Sequence, residues 1–114
     1  MTVMTGATDN ELIIKITGAM SSQDDLSIEQ LETIILQSSK VNVILDLSET
    51  LSLTAQFWER LSKLKKQLNG DGRQLFIRGV HSSLEMVVES TSFKRLFDVK
   101  REPQRWQVDF QRLQ

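Results

Sequence analysis

The sequence predicts a single α/β domain in which helices pack against a mixed, mostly parallel β-sheet. Its 114 residues fit one compact domain of common size. With 39% hydrophobic and 25% charged residues, the composition is that of an ordinary globular protein. Short β-branched runs alternate along the chain with segments whose apolar residues recur at helical spacing. Such alternation is typical of parallel strands joined by right-handed helical crossovers.

Three short segments have the composition of β-strands. Residues 12–16 are rich in isoleucine and are followed closely by a glycine. Residues 41–47 are β-branched and too short for a helix, so we expect them to form the central strand. A polar loop is expected over residues 48–54, and a further strand over residues 75–77.

Two shorter segments predict helices, one before the central strand in the sequence and the other after it. Ser27 and Gln30 have the spacing of a capping box, so the first helix is expected to begin there and to end near Ser38. Its apolar residues recur at helical spacing and are Ile28, Leu31, Ile34 and Ile35. Residues 82–89 predict the other helix, although their paired valines are less favourable in one.

The longest helix is expected to begin near Thr54, whose hydroxyl can cap it, and to end in the turn of residues 69–72. Its predicted buried face consists of Phe57, Leu61, Leu64 and Leu68. Trp58 lies about 100° from that stripe, so core packing and an interface role both remain open for it. Glu59 and Lys63 have the spacing of an ion pair. The basic residues predicted to form a solvated helix face are Arg60, Lys63, Lys65 and Lys66.

The C-terminal part of the chain predicts an apolar cluster followed by an extension. The cluster consists of Phe93, Leu96, Phe97 and Val99. We expect residues 1–99 to form the domain and residues 100–114 to pack on it. Trp106, Val108 and Phe110 alternate, which predicts a strand with one apolar face. This strand could extend the sheet edge, cover the sheet or pair with a second copy, and we favour the cover because the two aromatic side chains would otherwise be exposed.

Composition excludes several functional classes. The 14 basic and 15 acidic residues give a net charge of -1, which argues against nucleic-acid binding. The absence of cysteine excludes disulfides, iron–sulfur clusters and thiolate zinc sites. His81 is the only histidine, and we expect it to lie in a loop or to cap a helix. Asp24, Asp25 and Asp46 lack the pattern of a calcium loop, and Asp46 is expected to close a strand, so no metal or cofactor is expected.

The sequence also predicts no membrane insertion. No apolar run approaches the roughly 20 residues that span a bilayer. Residues 1–6 lack the basic flank and apolar core of a secretory signal. The protein is therefore expected to be cytoplasmic.

Two segments have the order and spacing of motifs in a known domain family. Residues 14–18 read Ile-Lys-Ile-Thr-Gly, and residues 44–48 read Ile-Leu-Asp-Leu-Ser. Counting on without gaps, the family's helix leucines, turn glycine and strand leucine fall on Leu61, Leu64, Leu68, Gly72 and Leu75. On these residues, the segment 10–99 resembles the STAS domain, named for sulfate transporters and anti-sigma factor antagonists. The resemblance implies a STAS-like α/β fold.

The chain departs from this family at its switch loop. The family pattern there is Asp-Ser-Ser/Thr-Gly, and a partner kinase phosphorylates its first hydroxyl residue. The equivalent position is Ala55, and Thr54 stands where the family has its aspartate. Either the switch is lost or Thr54 has become the phosphoacceptor through a one-residue shift. Loss is the simpler interpretation.

The resemblance implies a non-enzymatic regulator of transcription that acts by partner switching. Its partner would be an anti-sigma factor or a serine kinase-like protein, and its binding would free what that partner holds, often a sigma factor. We expect the binding surface to comprise Glu49, Ser52, Thr54, Ala55, Gln56 and Trp58. We also expect Trp58→Glu to abolish binding and to leave the fold intact.

A second hypothesis is a small accessory subunit of an ABC-type membrane transporter. STAS-like chains also dock on transporter ATPase subunits, where no phosphorylated serine is evidently needed. The oligomeric state, including a homodimer, stays open.

Overall fold

The chain alternates strands and helices as the sequence predicts, with one additional strand before the first predicted one and two more near the end. The computed structural model describes residues 1–90, 97–100 and 105–113. Its strands are β1 (Thr2–Ala7), β2 (Glu11–Ala19), β3 (Asn42–Ser52), β4 (Gln74–Val80), β5 (Asp98–Lys100) and β6 (Gln111–Arg112). Its helices are α1 (Asp25–Gln37), α2 (Ala55–Gly70) and α3 (Glu85–Ser90), with 3₁₀ turns at Ser22–Asp24 and Ser82–Leu84. No helix in these ranges is long and apolar enough to cross a membrane.

The strands form one six-stranded sheet in the order β5-β4-β3-β2-β1-β6. β2, β3, β4 and β5 run parallel, whereas β1 pairs antiparallel with both β2 and β6. Parallel neighbours need crossovers, and α1, α2 and α3 supply the helices between them. The predicted single domain with a mixed, mostly parallel sheet is therefore confirmed.

Successive residues of a strand point to opposite faces, which divides the sheet into two differently built surfaces. We call the side covered by helices the helix face. Its strand residues pack with the apolar residues of α1 and α2, and they include Leu12, Ile14, Ile16, Val43, Leu45, Leu47, Leu75 and Ile77. The opposite side, which we call the tail face, carries Ile13, Ile44, Asp46 and Phe76 of the same strands. Residues 105–110 cross over it.

The tail face is held to residues 105–113 by specific contacts. Trp106 Nε1 donates a hydrogen bond to Asp46 Oδ2 at 2.9 Å. A methyl group built on Gly6 of β1 would lie only 2.9 Å from Val108 Cγ2. The backbone N–H of Leu113 donates to the Val3 carbonyl at 2.8 Å. Residues 105–113 therefore cover the sheet and also extend its edge through β6.

The strand predicted over Trp106, Val108 and Phe110 is wrong. Residues 105–110 form no strand, and the chain becomes extended and paired only at Gln111–Arg112. The alternation instead reflects burial, because these three side chains are half-buried while their described neighbours are exposed. Of the predicted apolar cluster, Phe97 is fully buried, whereas Phe93 and Leu96 lie outside the described residues.

The predicted capping box at Ser27 is also wrong. α1 begins two residues earlier, and Ser27 lies within its first turn. The preceding 3₁₀ turn brings Asp24 to the N-cap position, but its side chain does not cap the helix. Asp24 Oδ2 accepts hydrogen bonds from the backbone N–H and the hydroxyl of Ser21 instead, at 2.7 and 3.2 Å. Because of this local turn, α1 begins at Asp25, two residues before the start that the sequence pattern predicts.

The polar loop predicted over residues 48–54 is for the most part a strand. β3 continues to Ser52 because β2 also continues and stays paired with it as far as Ala19. Thr50 is buried there, and its hydroxyl donates to the Ile16 carbonyl at 2.7 Å. Asp46 therefore lies within β3 rather than closing it.

Candidate protein-binding surface at the carboxyl edge of the sheet

The carboxyl ends of β2, β3 and β4 meet at one edge of the sheet, where open α/β folds place their binding sites. Hydrogen bonds join the segments that leave these strands. The backbone N–H of Met20 donates to the Ser52 carbonyl at 3.0 Å. The Ser83 hydroxyl donates to the Leu51 carbonyl at 2.6 Å. The edge is thus a cross-linked surface rather than a set of independent loops.

The start of α2 lies in the middle of this edge. Thr54 has extended backbone angles and is the N-cap, and its Oγ1 accepts from the Phe57 N–H at 3.2 Å. The same hydroxyl donates to the Met20 sulfur at 3.5 Å. The predicted capping role of Thr54 is confirmed. Ala55 and Gln56 follow in the first turn, and both are exposed.

The residues proposed from the sequence for partner binding do not all share one environment. Ser52, Ala55 and Gln56 are exposed close together around the start of α2, and Thr54 is half-buried between them. Glu49 lies within β3, and its carboxylate forms an ion pair with Lys15 Nζ of β2 at 2.9 Å. Apart from Glu49, which is also exposed, the exposed part of the predicted surface is centred on Ala55.

Trp58 belongs to the core, with only 5% of its surface exposed. Its ring meets Phe57 edge to face, with 6.5 Å between centroids. The expectation that Trp58→Glu leaves the fold intact is wrong, because this change would place a carboxylate in an apolar environment. The buried side of α2 is wider than its leucine stripe predicts, because Trp58 is buried as well.

A groove follows α2 from Ala55 toward the C-terminal end of that helix, with Val87 of α3 on its other side. We call it the α2/α3 groove. It has a volume of about 640 Å³, and its described lining residues are Ala55, Trp58, Glu59, Ser62, Lys63, Lys66 and Val87. The α2 members share one helix face at intervals of three and four residues. Sequence reasoning missed the groove because its second wall depends on where α3 packs.

Two large apolar side chains are exposed near this edge. Leu51, at the end of β3, is 49% exposed, and Met86, in α3, is 84% exposed. Leu51 is tied through its carbonyl to Ser83, in the 3₁₀ turn that leads into α3. Single exposed apolar residues are common, but exposed methionine is typical of surfaces that bind other proteins.

The basic residues of α2 divide into two pairs with different environments. Arg60 forms an ion pair with Glu32 of α1, and the Lys65 ammonium lies 5.6 Å from the centroid of the Phe97 ring. Lys63 and Lys66 are exposed and line the α2/α3 groove. The predicted Glu59–Lys63 ion pair does not form, and neither groove lysine has an ion pair among the residues that the structure describes. A uniformly solvated basic face is therefore not observed.

His81 caps the 3₁₀ turn at Ser82–Leu84, so its predicted capping role is confirmed. Its Nδ1 accepts a hydrogen bond from the Ser83 N–H at 3.1 Å. The Ser83 hydroxyl lies 2.9 Å from the same nitrogen and donates a hydrogen bond to the Leu51 carbonyl at 2.6 Å. Within ranges 1–90, 97–100 and 105–113, no group of three or more acidic or histidine side chains is placed to hold a metal ion.

Comparison with known proteins identifies the fold. No protein-family model matches the sequence, and no curated protein matches it. An anti-sigma factor antagonist from Mycobacterium paratuberculosis superposes with a TM-score of 0.77 and 15% identity, over 89% of this chain and 86% of that one. The anti-sigma factor antagonist SpoIIAA in its unphosphorylated form gives a TM-score of 0.73 and 10% identity, over 90% of each chain. The chain therefore has the STAS fold of the anti-sigma factor antagonists, which confirms the fold implied by the resemblance.

Proposed function

We propose that the protein is a non-enzymatic regulator that binds another protein through the carboxyl edge of its sheet. The partner is an anti-sigma factor or a serine kinase-like protein, and binding releases whatever that partner holds. Two proteins of the same fold are anti-sigma factor antagonists, which supports a partner-switching role. The contact surface is Ser52, Thr54, Ala55 and Gln56, with Glu49 and Trp58 at its margins.

The observation that carries this proposal is the position of Ala55. It is exposed in the first turn of α2, where the family resemblance places the phosphoacceptor. A phosphate at a helix start would add about -1.5 to -2 charges at neutral pH. Alanine has no hydroxyl, so this binder is not released by phosphorylation at that position.

The environment of Thr54 favours loss of the switch over its transfer to that residue. The Thr54 hydroxyl is half-buried, accepts from the Phe57 N–H and donates to the Met20 sulfur. A kinase must reach this hydroxyl, and phosphorylation would remove its donated hydrogen bond. Thr54 therefore serves α2 as a cap, and the protein remains competent to bind.

The rigidity of the edge supports binding without a conformational change. The exit segments of β2 and β3 are joined by the Met20–Ser52 hydrogen bond, and those of β3 and β4 by the Ser83–Leu51 hydrogen bond. A surface that is already ordered loses little conformational entropy when a partner docks. This is the arrangement expected of a permanently competent antagonist.

The test compares two substitutions at Ala55. Wild-type protein, Ala55→Asp and Ala55→Ser are immobilised, and the proteins retained from the native lysate are quantified by mass spectrometry. A carboxylate at this helix start is compatible with the fold and supplies the charge that is thought to release partners in the family. We expect wild-type and Ala55→Ser to retain the same anti-sigma factor or kinase-like protein and Ala55→Asp to lose it. Equal retention by all three would contradict the proposed surface.

The same missing hydroxyl also favours a second candidate, an accessory subunit of an ABC-type transporter. A constitutive subunit needs no phosphate-driven release, and the exposed surface around Ala55 would then dock on the ATPase subunit. Retention of a transporter ATPase, lost with Ala55→Asp, would select this function over partner switching. Neither candidate requires the chain to enter the membrane.

A further inference from the structure

We propose that the α2/α3 groove binds an acidic amphipathic helix presented by the partner protein. This inference rests on the proposed function, since the groove begins at Ala55 and would extend the same contact surface along α2. It adds the chemistry of the partner, namely an apolar stripe flanked by carboxylates.

The groove is long enough for a helix of about three turns. Its α2 residues run from Ala55 to Lys66, which is about three helical turns or 16 Å. Val87 and the 5% of Trp58 that is exposed supply apolar surface along the groove, and the small Ala55 leaves space at one end. A helix that lies in such a groove contacts it through residues spaced three and four apart.

The charge of the groove favours an acidic partner. Lys63 and Lys66 are exposed on it, and no ion pair in the described part of the chain neutralises either ammonium. Glu59 is the one carboxylate among the described lining residues. Two lysines against one glutamate give the described lining residues a net charge of +1, whereas the whole chain has a net charge of -1. Complementary charge of this kind increases association rates and selects partners more than it increases affinity.

The two remaining basic residues of α2 provide an internal comparison. Arg60 is held by Glu32, and Lys65 lies over Phe97, so both stabilise the fold. The groove lysines make no such contacts among the described residues. Lys63 and Lys66 are therefore available for contact with another molecule.

The test uses synthetic peptides of about 18 residues, long enough to be helical when bound. One peptide has leucine at positions i, i+3, i+4 and i+7 and glutamate elsewhere. The second replaces its glutamates with lysines, and the third has the acidic composition in an order without an apolar face. Binding is followed by amide chemical shifts of the ¹⁵N-labelled full chain. We expect only the first peptide to shift the amides of residues 55–66 and 84–88.

Charge-reversal variants then separate the groove from the rest of the surface. Lys63→Glu/Lys66→Glu is expected to weaken the acidic peptide's affinity by about tenfold, from two reversed charge contacts. Lys100→Glu/Arg112→Glu makes the same charge change at exposed residues of β5 and β6 and is expected to have little effect. Equal binding of the acidic and basic peptides, shifts outside the groove, or equal effects of both variants would overturn the inference.

The same variants distinguish failure of this inference from failure of the proposed function. If Ala55→Asp abolishes partner retention but Lys63→Glu/Lys66→Glu does not, the binding surface stands and the acidic helix is rejected. If the groove binds the acidic peptide but Ala55→Asp leaves partner retention unchanged, the groove stands as a peptide site and the proposed surface is rejected.

Discussion

The helix face and the tail face bury the same strands by different means. On the helix face, Val43, Leu45 and Leu47 pack under long helices in an apolar core. On the tail face, Ile44 is buried beside a carboxylate, and a segment without regular structure crosses over both. The helix face is therefore built from repeated nonspecific contacts, whereas the tail face depends on a few specific ones.

Asp46 is the centre of the tail face. It is 1% exposed, and its carboxylate accepts three hydrogen bonds. Oδ1 accepts from the backbone N–H and the hydroxyl of Ser48 at 2.9 and 2.7 Å, and Oδ2 accepts from Trp106. Burying a carboxylate costs free energy unless it has hydrogen-bond partners. The burial of Asp46 and the position of residues 105–113 therefore depend on each other.

The largest effect is expected from removing residues 105–114. This change uncovers Ile13 and Ile44 and removes the Trp106 donor, and each fully exposed isoleucine costs about 1.5–3 kcal/mol. We expect the free energy of unfolding in urea to fall by about 3 kcal/mol or more, a large part of the total for a small domain. A loss below about 1 kcal/mol would show that the tail face is stable without its cover.

A smaller effect is expected from Gly79→Ala, which disturbs the neighbours of Asp46. Gly79 has a φ of 74°, and an added methyl group would lie 2.9 Å from Ser48 Cβ and 3.1 Å from Asp46 Oδ1. Gly72→Ala is the matched control, because its φ is 75° and nothing lies within 4 Å of the added methyl. We expect a loss of about 2–4 kcal/mol for Gly79→Ala and about 1–2 kcal/mol for the control. Equal losses would mean that the backbone alone accounts for the effect.

The Trp106–Asp46 hydrogen bond is best measured by a double-mutant cycle. Trp106→Phe removes the donor and keeps an aromatic ring, and Asp46→Asn removes the carboxylate with little change of shape. We expect a coupling free energy of about 1–2 kcal/mol in urea unfolding, as for a hydrogen bond to a carboxylate. A coupling free energy near zero would mean that packing alone holds residues 105–113 on the sheet.

The smallest effect lies on the helix side, at the cap of α2. Thr54→Ala removes the acceptor for the Phe57 N–H, and we expect a loss of about 1 kcal/mol in thermal or urea unfolding. Thr54→Ser keeps the hydroxyl and is expected to retain most of the stability. Similar losses for both variants would indicate that the Thr54 methyl group, rather than its hydroxyl, supports this position.

The two faces also differ in how far the sequence predicts them. Helical and β-branched periodicity predicts the helix face, because each contacting element shows its pattern within a short window. The tail face joins Asp46 to a residue 60 positions away, and no local pattern connects them. For this reason the local sequence predicts Asp46 at a strand end, although it lies inside β3.

The sequence predicts only part of the candidate site, because the rest depends on contacts between residues that are distant in the sequence. The cap at Thr54 is a local feature and is found from its hydroxyl alone. β3 extends through the predicted loop because β2 pairs with it, and the α2/α3 groove exists because α3 contributes Val87 to its lining. Both features depend on tertiary packing, which a local sequence pattern does not show. In β3, strand pairing overrides the preference of polar residues for loops.

The most direct test compares two variants. Ala55→Asp changes the carboxyl edge of the sheet, and Trp106→Phe changes a contact on the tail face. Partner retention from the lysate and the free energy of unfolding are measured for both variants and for wild-type protein. We predict that Ala55→Asp loses the partner with nearly unchanged stability, whereas Trp106→Phe loses stability and keeps the partner. Loss of the partner with Trp106→Phe and its retention with Ala55→Asp would place the binding surface on the tail face and contradict the account.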